Sequence, residues 1–289
     1  MKKILLLTLI AACIYACGSV PVTGRKQLML VPDSEVLTLS LDSYNEYMKT
    51  AKKSNSRTDA DMVRKVGVQI AAAVEYYCES NGMNDLLKNF AWEFNLVEDA
   101  SVNAFCMPGG KIVVYTGILP VTKDETGLAV VLGHEVAHAV AKHANERMSQ
   151  QMIAQYGSVA LNSLLSGTSD KVKSLGQQVY GLGAQFGVML PFGRKQELEA
   201  DHLGLIFMAI AGYNPEAAVS FWQRMEQAGG ASTPEFFSTH PSHETRIEDI
   251  KKELPEAMEI YNTVWVNNNS TNKTTAKPAN TRTDENWHF

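Results

Sequence analysis

The stretch Leu128–His138, which reads LAVVLGHEVAH, constrains this chain more than any other part of it. Its first five residues, Leu128 to Leu132, are apolar, so a helix through them is apolar on every side and must be buried. Thr122-Lys123-Asp124-Glu125 just ahead matches a capping box, which predicts a helix from about Asp124 to Glu146. The helix carries His134, Glu135 and His138. Burying two imidazoles and a carboxylate in an apolar segment costs several kcal/mol unless they are paired or hold a metal. Histidines four residues apart on a helix stand ~40° apart around the axis and ~6 Å along it, so both rings can converge on one ion. Zinc takes such nitrogen donors at about 2 Å. Glu135, beside the first ligand, can then serve as general base toward a water at that ion.

A zinc site needs a third protein ligand. One solution is a His ten residues after the first, following a Gly. Here those positions are Ala144 and Ala141, and His143, one place off, is expected on the helix surface. The other solution is a carboxylate from a later helix. Arg194 to Asp201 supplies it: Glu197 and Asp201 are four apart and share a face, whereas Glu199 points nearly opposite. Glu197 is assigned as the third ligand of one Zn2+ per chain. Asp201 is assigned as the carboxylate that orients a ligand His.

The remaining chain reads as one domain between two dispensable ends. Met1-Lys2-Lys3 followed by apolar Ile4 to Ala16 reads as a signal peptide over 1–16, too short for a transmembrane helix. Small Ala16 before Cys17 resembles a bacterial lipoprotein signal, with Cys17 the lipidated first residue; an uncleaved anchor or plain secretory leader is the alternative. Residues 263–289 are rich in Asn and Thr and poor in apolar groups, a disordered tail. The domain is therefore placed at 17–262. Cys78 and Cys106 either pair in an oxidising compartment or stay as buried thiols. With net charge −5 and its 26 basic residues scattered, the chain has no electrostatic footprint for nucleic acid.

Periodicity predicts helices over about Asp33–Met48 and Thr58–Tyr77, with Val63, Val66, Ile70 and Val74 on the apolar face of the second. Trp92–Val97 alternates as a half-buried strand. Asn103–Leu119 reads as a hairpin turning at Pro108-Gly109-Gly110. Ser149–Leu190 is expected to be helical with a break near Gly167–Asp170. Pro191-Phe192-Gly193 is expected to break the chain before a buried helix over about Arg194–Ala211. Asn214-Pro215 and Pro241 open two further helices.

Together these motifs resemble the HtpX-like and CAAX-prenyl-protease-like family of zinc peptidases over roughly Val20 to Lys252. Val20-Pro21-Val22-Thr23-Gly24-Arg25 is similar to the start of its soluble bacterial members. Asn103-Ala104-Phe105 with Pro108-Gly109-Gly110 is similar to its active-site hairpin, and His240-Pro241-Ser242 with Arg246 to its C-terminal signature. The resemblance implies an α+β fold: a mainly helical zincin-type domain with a small antiparallel sheet whose edge strand lies beside the active-site helix. It implies that Asn103 and Ala104 bind an extended substrate by main-chain hydrogen bonds. His240 is implied either to stabilise the oxyanion or to occupy the open zinc position and hold the enzyme latent; its plain alternative is a helix-start residue. Arg246 is implied to pair with an active-site acid such as Asp201. The chain departs from HtpX itself in lacking transmembrane helices, and it has no helical-repeat domain after Lys252, so partner binding through repeats is not expected. The expected function is a zinc endopeptidase acting on unfolded or misassembled proteins of the bacterial cell envelope, lipid-anchored and facing the periplasm. The alternative is a zinc-stabilised chaperone or assembly factor, which would keep the metal ligands without needing Glu135.

Overall fold

The computed structural model describes residues 17–185, 189–228, 236, 240 and 245–267. The expected signal peptide and most of the expected tail lie outside these residues. So do His243 and Pro241. The fold is α+β and mainly helical.

Two short strands, β1 (Cys17–Ser19) and β2 (Lys26–Leu28), pair antiparallel at the start, with Cys17 opposite Leu28. Helices α1 (Asp33–Thr50) and α2 (Arg57–Ser80) follow. Ser56, not Thr58 or Asp59, caps α2, its side chain accepting from the Asp59 N–H. Val63, Val66, Ile70 and Val74 are buried as the helical spacing requires.

The second sheet contains β3 (Glu93–Val97), β4 (Ala104–Met107) and β5 (Lys111–Tyr115) in the order β3-β5-β4. β4 and β5 form the expected hairpin, with Gly109 and Gly110 at φ +92° and +82° in its turn, where a side chain would be strained. The sheet is mixed, not purely antiparallel. The link after β3 carries the chain past the place of β5, which then inserts between the other two and runs parallel to β3. The second face of β3 is covered as well, because Tyr44 of α1 receives a hydrogen bond from Asn95 at 2.7 Å.

A short turn, α3 (Leu119–Thr122), precedes the central helix α4 (Glu125–Val140). Asp124 is its cap, accepting from Gly127 N–H at 2.8 Å, so the expected box centred on Thr122 is displaced by two residues. Every residue from Gly127 to Val140 is buried. Leu128, Val131, Leu132 and Val136 each stabilise the fold by ~1.5–3 kcal/mol through that burial. α4 packs against α2 and β4.

α5 (His143–Leu164) and α6 (Asp170–Ala184) form a helical hairpin, with the break at 165–169 as expected. α7 (Leu190–Ile210) follows, and Pro191 sits inside its first turn, where a missing N–H costs nothing, so it does not break the chain. α8 (Ala217–Ala228) and α9 (Arg246–Tyr261) complete the domain. The helical path continues to Asn267, and Trp265 donates to Ile210 O at 2.8 Å, so ordered chain extends past residue 262. α4 and α7 cross through Gly133 and Gly204. A Cβ at Gly204 would lie 2.9 Å from His134 N, and one at Gly133 2.8 Å from Gly204 O. That close crossing sets the spacing between the histidines of α4 and the acids of α7. Among the described residues, no helix is long and apolar enough to cross a membrane. Cys78 and Cys106 are free thiols, so the pairing alternative is set aside.

Candidate metal centre

Helix α4 was expected to run to Glu146. It stops at Val140, because Lys142 takes the left-handed conformation at φ 59° and the chain restarts as α5 at His143. On an unbroken helix His143 would point ~140° away from His138. The break turns it back instead. His143 is fully buried, not on the surface, and its Nδ1 lies 2.7 Å from His138 Nδ1.

His134, His138, Glu197 and His240 bring one donor atom each to a common point, all within 4.8 Å of one another and all buried. His134 Nε2 is 3.1 Å from His138 Nε2 and 3.3 Å from both Glu197 Oε2 and His240 Nδ1. His240 Nδ1 is 3.2 Å from His138 Nε2 and from Glu197 Oε1. Its Nε2 stands 3.4 Å from Glu135 Oε1. The His240 ring stacks on Phe236 at a centroid distance of 4.4 Å.

Asp201 faces His134 Nδ1 at 2.9 Å from the far side, so the ring donates there and presents Nε2 to the cluster. Arg246, 1% exposed, donates to the same Asp201 oxygen at 2.7 Å and lies with its guanidinium 3.4 Å from the Trp222 ring centroid. Burial alone would raise the Asp201 carboxyl, but the Arg246 charge and the His134 hydrogen bond hold it below the usual carboxylate range. Glu197 is likewise held well below that range, against burial, by its close contacts with His138, His134 and His240. Burial drives His138 well below the ordinary imidazole value.

These residues fit a metal ion. Ring nitrogens and an ionised carboxylate crowd one point, an arrangement that a shared cation satisfies. Glu197 Oε2 and Glu135 Oε1 are buried without a hydrogen bond of good geometry. Buried acceptors left so cost about 1–3 kcal/mol each. Three ligands from His and Glu match the donor set of a hydrolytic zinc site.

The structure also brings in residues that sequence reasoning passed over. Glu199 does point away from Glu197, yet it is buried and accepts from His143 Nε2 at 2.9 Å. Arg25 donates to Glu199 through Nε at 2.8 Å and reaches Glu146 with both terminal nitrogens, at 3.0 and 2.8 Å. Helical spacing did not point to them: on a continuous helix a five-residue step turns His143 ~140° from His138 and a two-residue step turns Glu199 nearly opposite Glu197. Asn103 and Ala104 are buried at the head of edge strand β4, beside α4, and the Ala104 N–H is taken by Asn103 Oδ1 at 2.9 Å. Phe236 N–H donates to Val102 O at 3.2 Å, next to that edge. His202 lies apart, bonded to Glu253 at 2.8 Å.

A helix-borne HExxH, an acid from a second helix and buried residues orienting both define a metallopeptidase centre. The sequence profile of Peptidase family M48 matches residues 67–254, and the chain belongs to that family. It is 41% identical over 193 residues to the mitochondrial metalloendopeptidase OMA1 of Schizosaccharomyces pombe, covering 64% of this chain and 54% of that one. It is 30% identical over 250 residues to OMA1 of Saccharomyces cerevisiae, covering 83% and 70%. It is 29% identical over 164 residues to the beta-barrel assembly-enhancing protease of Escherichia coli, covering 55% and 34%. The chain thus spans about half the length of the fission-yeast protein.

One expectation is corrected by these relatives. The OMA1 proteins of yeasts, plant, cattle and human are mitochondrial, which overturns the lipid-anchored bacterial-envelope placement. A basic start and an apolar run encode a hydrophobic segment; they do not encode its destination.

Proposed function

We propose that this chain is a zinc endopeptidase that cuts extended, unfolded protein segments and that His240 holds it latent. Finer than family membership, this reading rests on one observation: four donors converge on a point beside Glu135, whose Oε1 is buried without a hydrogen bond. His134, His138 and Glu197 would hold the ion, and Asp201 would keep His134 in the ligating tautomer. Zinc bound there would polarise the scissile carbonyl and make a water nucleophilic near neutral pH. Glu135 would take the proton from the attacking water and pass it to the leaving amine. An extended substrate would add to the β4 edge, next to α4, by main-chain hydrogen bonds. The relatives named metalloendopeptidase and protease support the reaction class.

Two contacts support latency over oxyanion stabilisation. His240 aims Nδ1 into the ligand cluster, as a fourth donor would. Phe236, a turn earlier, bonds the backbone at the head of the β4 edge. His240 and Phe236 would therefore cover both the metal position and the substrate path.

Glu135→Gln should abolish cleavage of an unfolded casein substrate while zinc content stays at one per chain. Cleavage by that variant at the wild-type rate would refute the mechanism. His240→Ala should raise the rate; a fall would return His240 to the oxyanion role.

A further inference from the structure

The mechanism above uses His134, Glu135, His138 and Glu197, and leaves a chain of polar groups, running from the surface to the buried His143 behind His138, without a task. That chain begins at the N-terminal turn. Val20 N–H donates to Arg25 O at 2.8 Å and Gly24 N–H to Val20 O at 2.9 Å, with Gly24 at φ +70°. The turn thereby presents Thr23 and Arg25 to Glu199, and Thr23 donates its hydroxyl to Glu199 Oε1. Arg25 adds the Nε bond to Glu199 and grips Glu146 with both terminal nitrogens, a fork that fixes its own position.

The protons in this chain are determined by elimination. Glu199 accepts from the Thr23 hydroxyl and from the Arg25 guanidinium, whose fixed positive charge pairs with a carboxylate. An ionised carboxylate only accepts, so His143 Nε2 carries the proton of the 2.9 Å bond. A neutral imidazole with its proton on Nε2 has a lone pair on Nδ1. The 2.7 Å contact between His143 Nδ1 and His138 Nδ1 therefore requires the proton on His138 Nδ1. His138 Nε2 is then left with its lone pair, and it is the atom that faces His134, Glu197 and His240.

We propose that Thr23, Arg25 and Glu199, acting through His143, are positioning residues that fix His138 as the tautomer able to bind the metal. His134 is oriented by one carboxylate directly, whereas His138 is oriented by a carboxylate through an intervening imidazole. The turn at 20–25, more than a hundred residues from His138 in sequence, is thus part of the metal centre's support. The inference rests on the metal reading above.

The test measures zinc Kd by chelator competition on the full chain at one fixed pH, with circular dichroism to verify folding. Partners behind a ligand histidine typically tune metal affinity by roughly 10- to 100-fold. Glu199→Leu, Arg25→Ala and His143→Leu should each weaken zinc within that range, and His143→Gln, which keeps an acceptor, should recover part of the loss. A wild-type Kd in folded Glu199→Leu and Arg25→Ala would overturn the proposal. Long-range 1H–15N spectra of the zinc-loaded wild-type protein need no variant: they should place protons on His138 Nδ1 and His143 Nε2. A proton on His143 Nδ1 would overturn it equally. Failure of the wild-type protein to bind zinc at all would instead remove the metal reading beneath it.

Discussion

Arg246→Leu isolates the support behind His134. Arg246 is 1% exposed, donates at 2.7 Å to Asp201, and lies 3.4 Å from the centre of the Trp222 ring. Leucine fills much of the volume but leaves Asp201 buried without its cation. Removing one partner of a buried pair costs ~3–5 kcal/mol. The lost stacking on Trp222 lies within that range, so a net loss of about 4 kcal/mol is expected. At ~2–4 °C per kcal/mol for a domain of this size, Tm should fall by about 8–16 °C. The sign with pH is specific. In the wild-type protein Asp201 is held low, so its stabilisation is present above the ordinary carboxyl value and is lost as pH falls through the lowered one. In the variant burial acts without Arg246, and protonating Asp201 relieves the buried charge. The deficit should therefore shrink as pH drops from 7 toward 4. Urea denaturation of the metal-free protein across that range reads both quantities. A loss below about 1 kcal/mol, or a deficit independent of pH, would refute the argument that Arg246 compensates a buried carboxylate.

Two further outcomes follow from the crossing of α4 with α7 and from the charge at its centre. Gly204→Ala would place a Cβ 2.9 Å from His134 N, against backbone that cannot rotate aside, so it should cost ~1–3 kcal/mol and weaken zinc binding by moving Glu197 from His134. Unchanged zinc affinity in that variant would count against the crossing as the determinant of ligand spacing. In the metal-free protein, burial pushes the His134 imidazolium down, but Asp201 and Glu197 hold it up at about 9. This raised value stabilises the apoprotein fully below pH ~6.5, and the contribution is lost as pH rises through about 9. Zinc competes with that proton, so its affinity should climb over the same window, with one proton released per ion bound. Calorimetry in two buffers of different ionisation heat would detect the proton, and a pH-independent affinity would refute the coupling.

The local pieces of this site were legible in the sequence because each is a helix-scale pattern. His134 and His138 are one turn apart, Glu197 and Asp201 are one turn apart, and the apolar run at Leu128–Leu132 told that the first pair is buried. The hairpin was legible from Pro108-Gly109-Gly110, since only that chemistry tolerates its positive φ values. What failed were extrapolations across a break. A continuous helix to Glu146 put His143 on the surface, whereas the left-handed Lys142 turned it onto His138. Period alone gave no warning, because one residue's backbone well redirects every side chain after it. The mixed sheet escaped notice for a related reason: strand alternation carries no information about which neighbour a strand will choose. Local spacing thus determined the candidate metal ligands and the carboxylate beside them. Only the tertiary structure decided what stands behind each ligand. Arg25, His143 and Glu199 come from three distant segments, and they share a bond network because polar groups taken out of water must find partners within the protein.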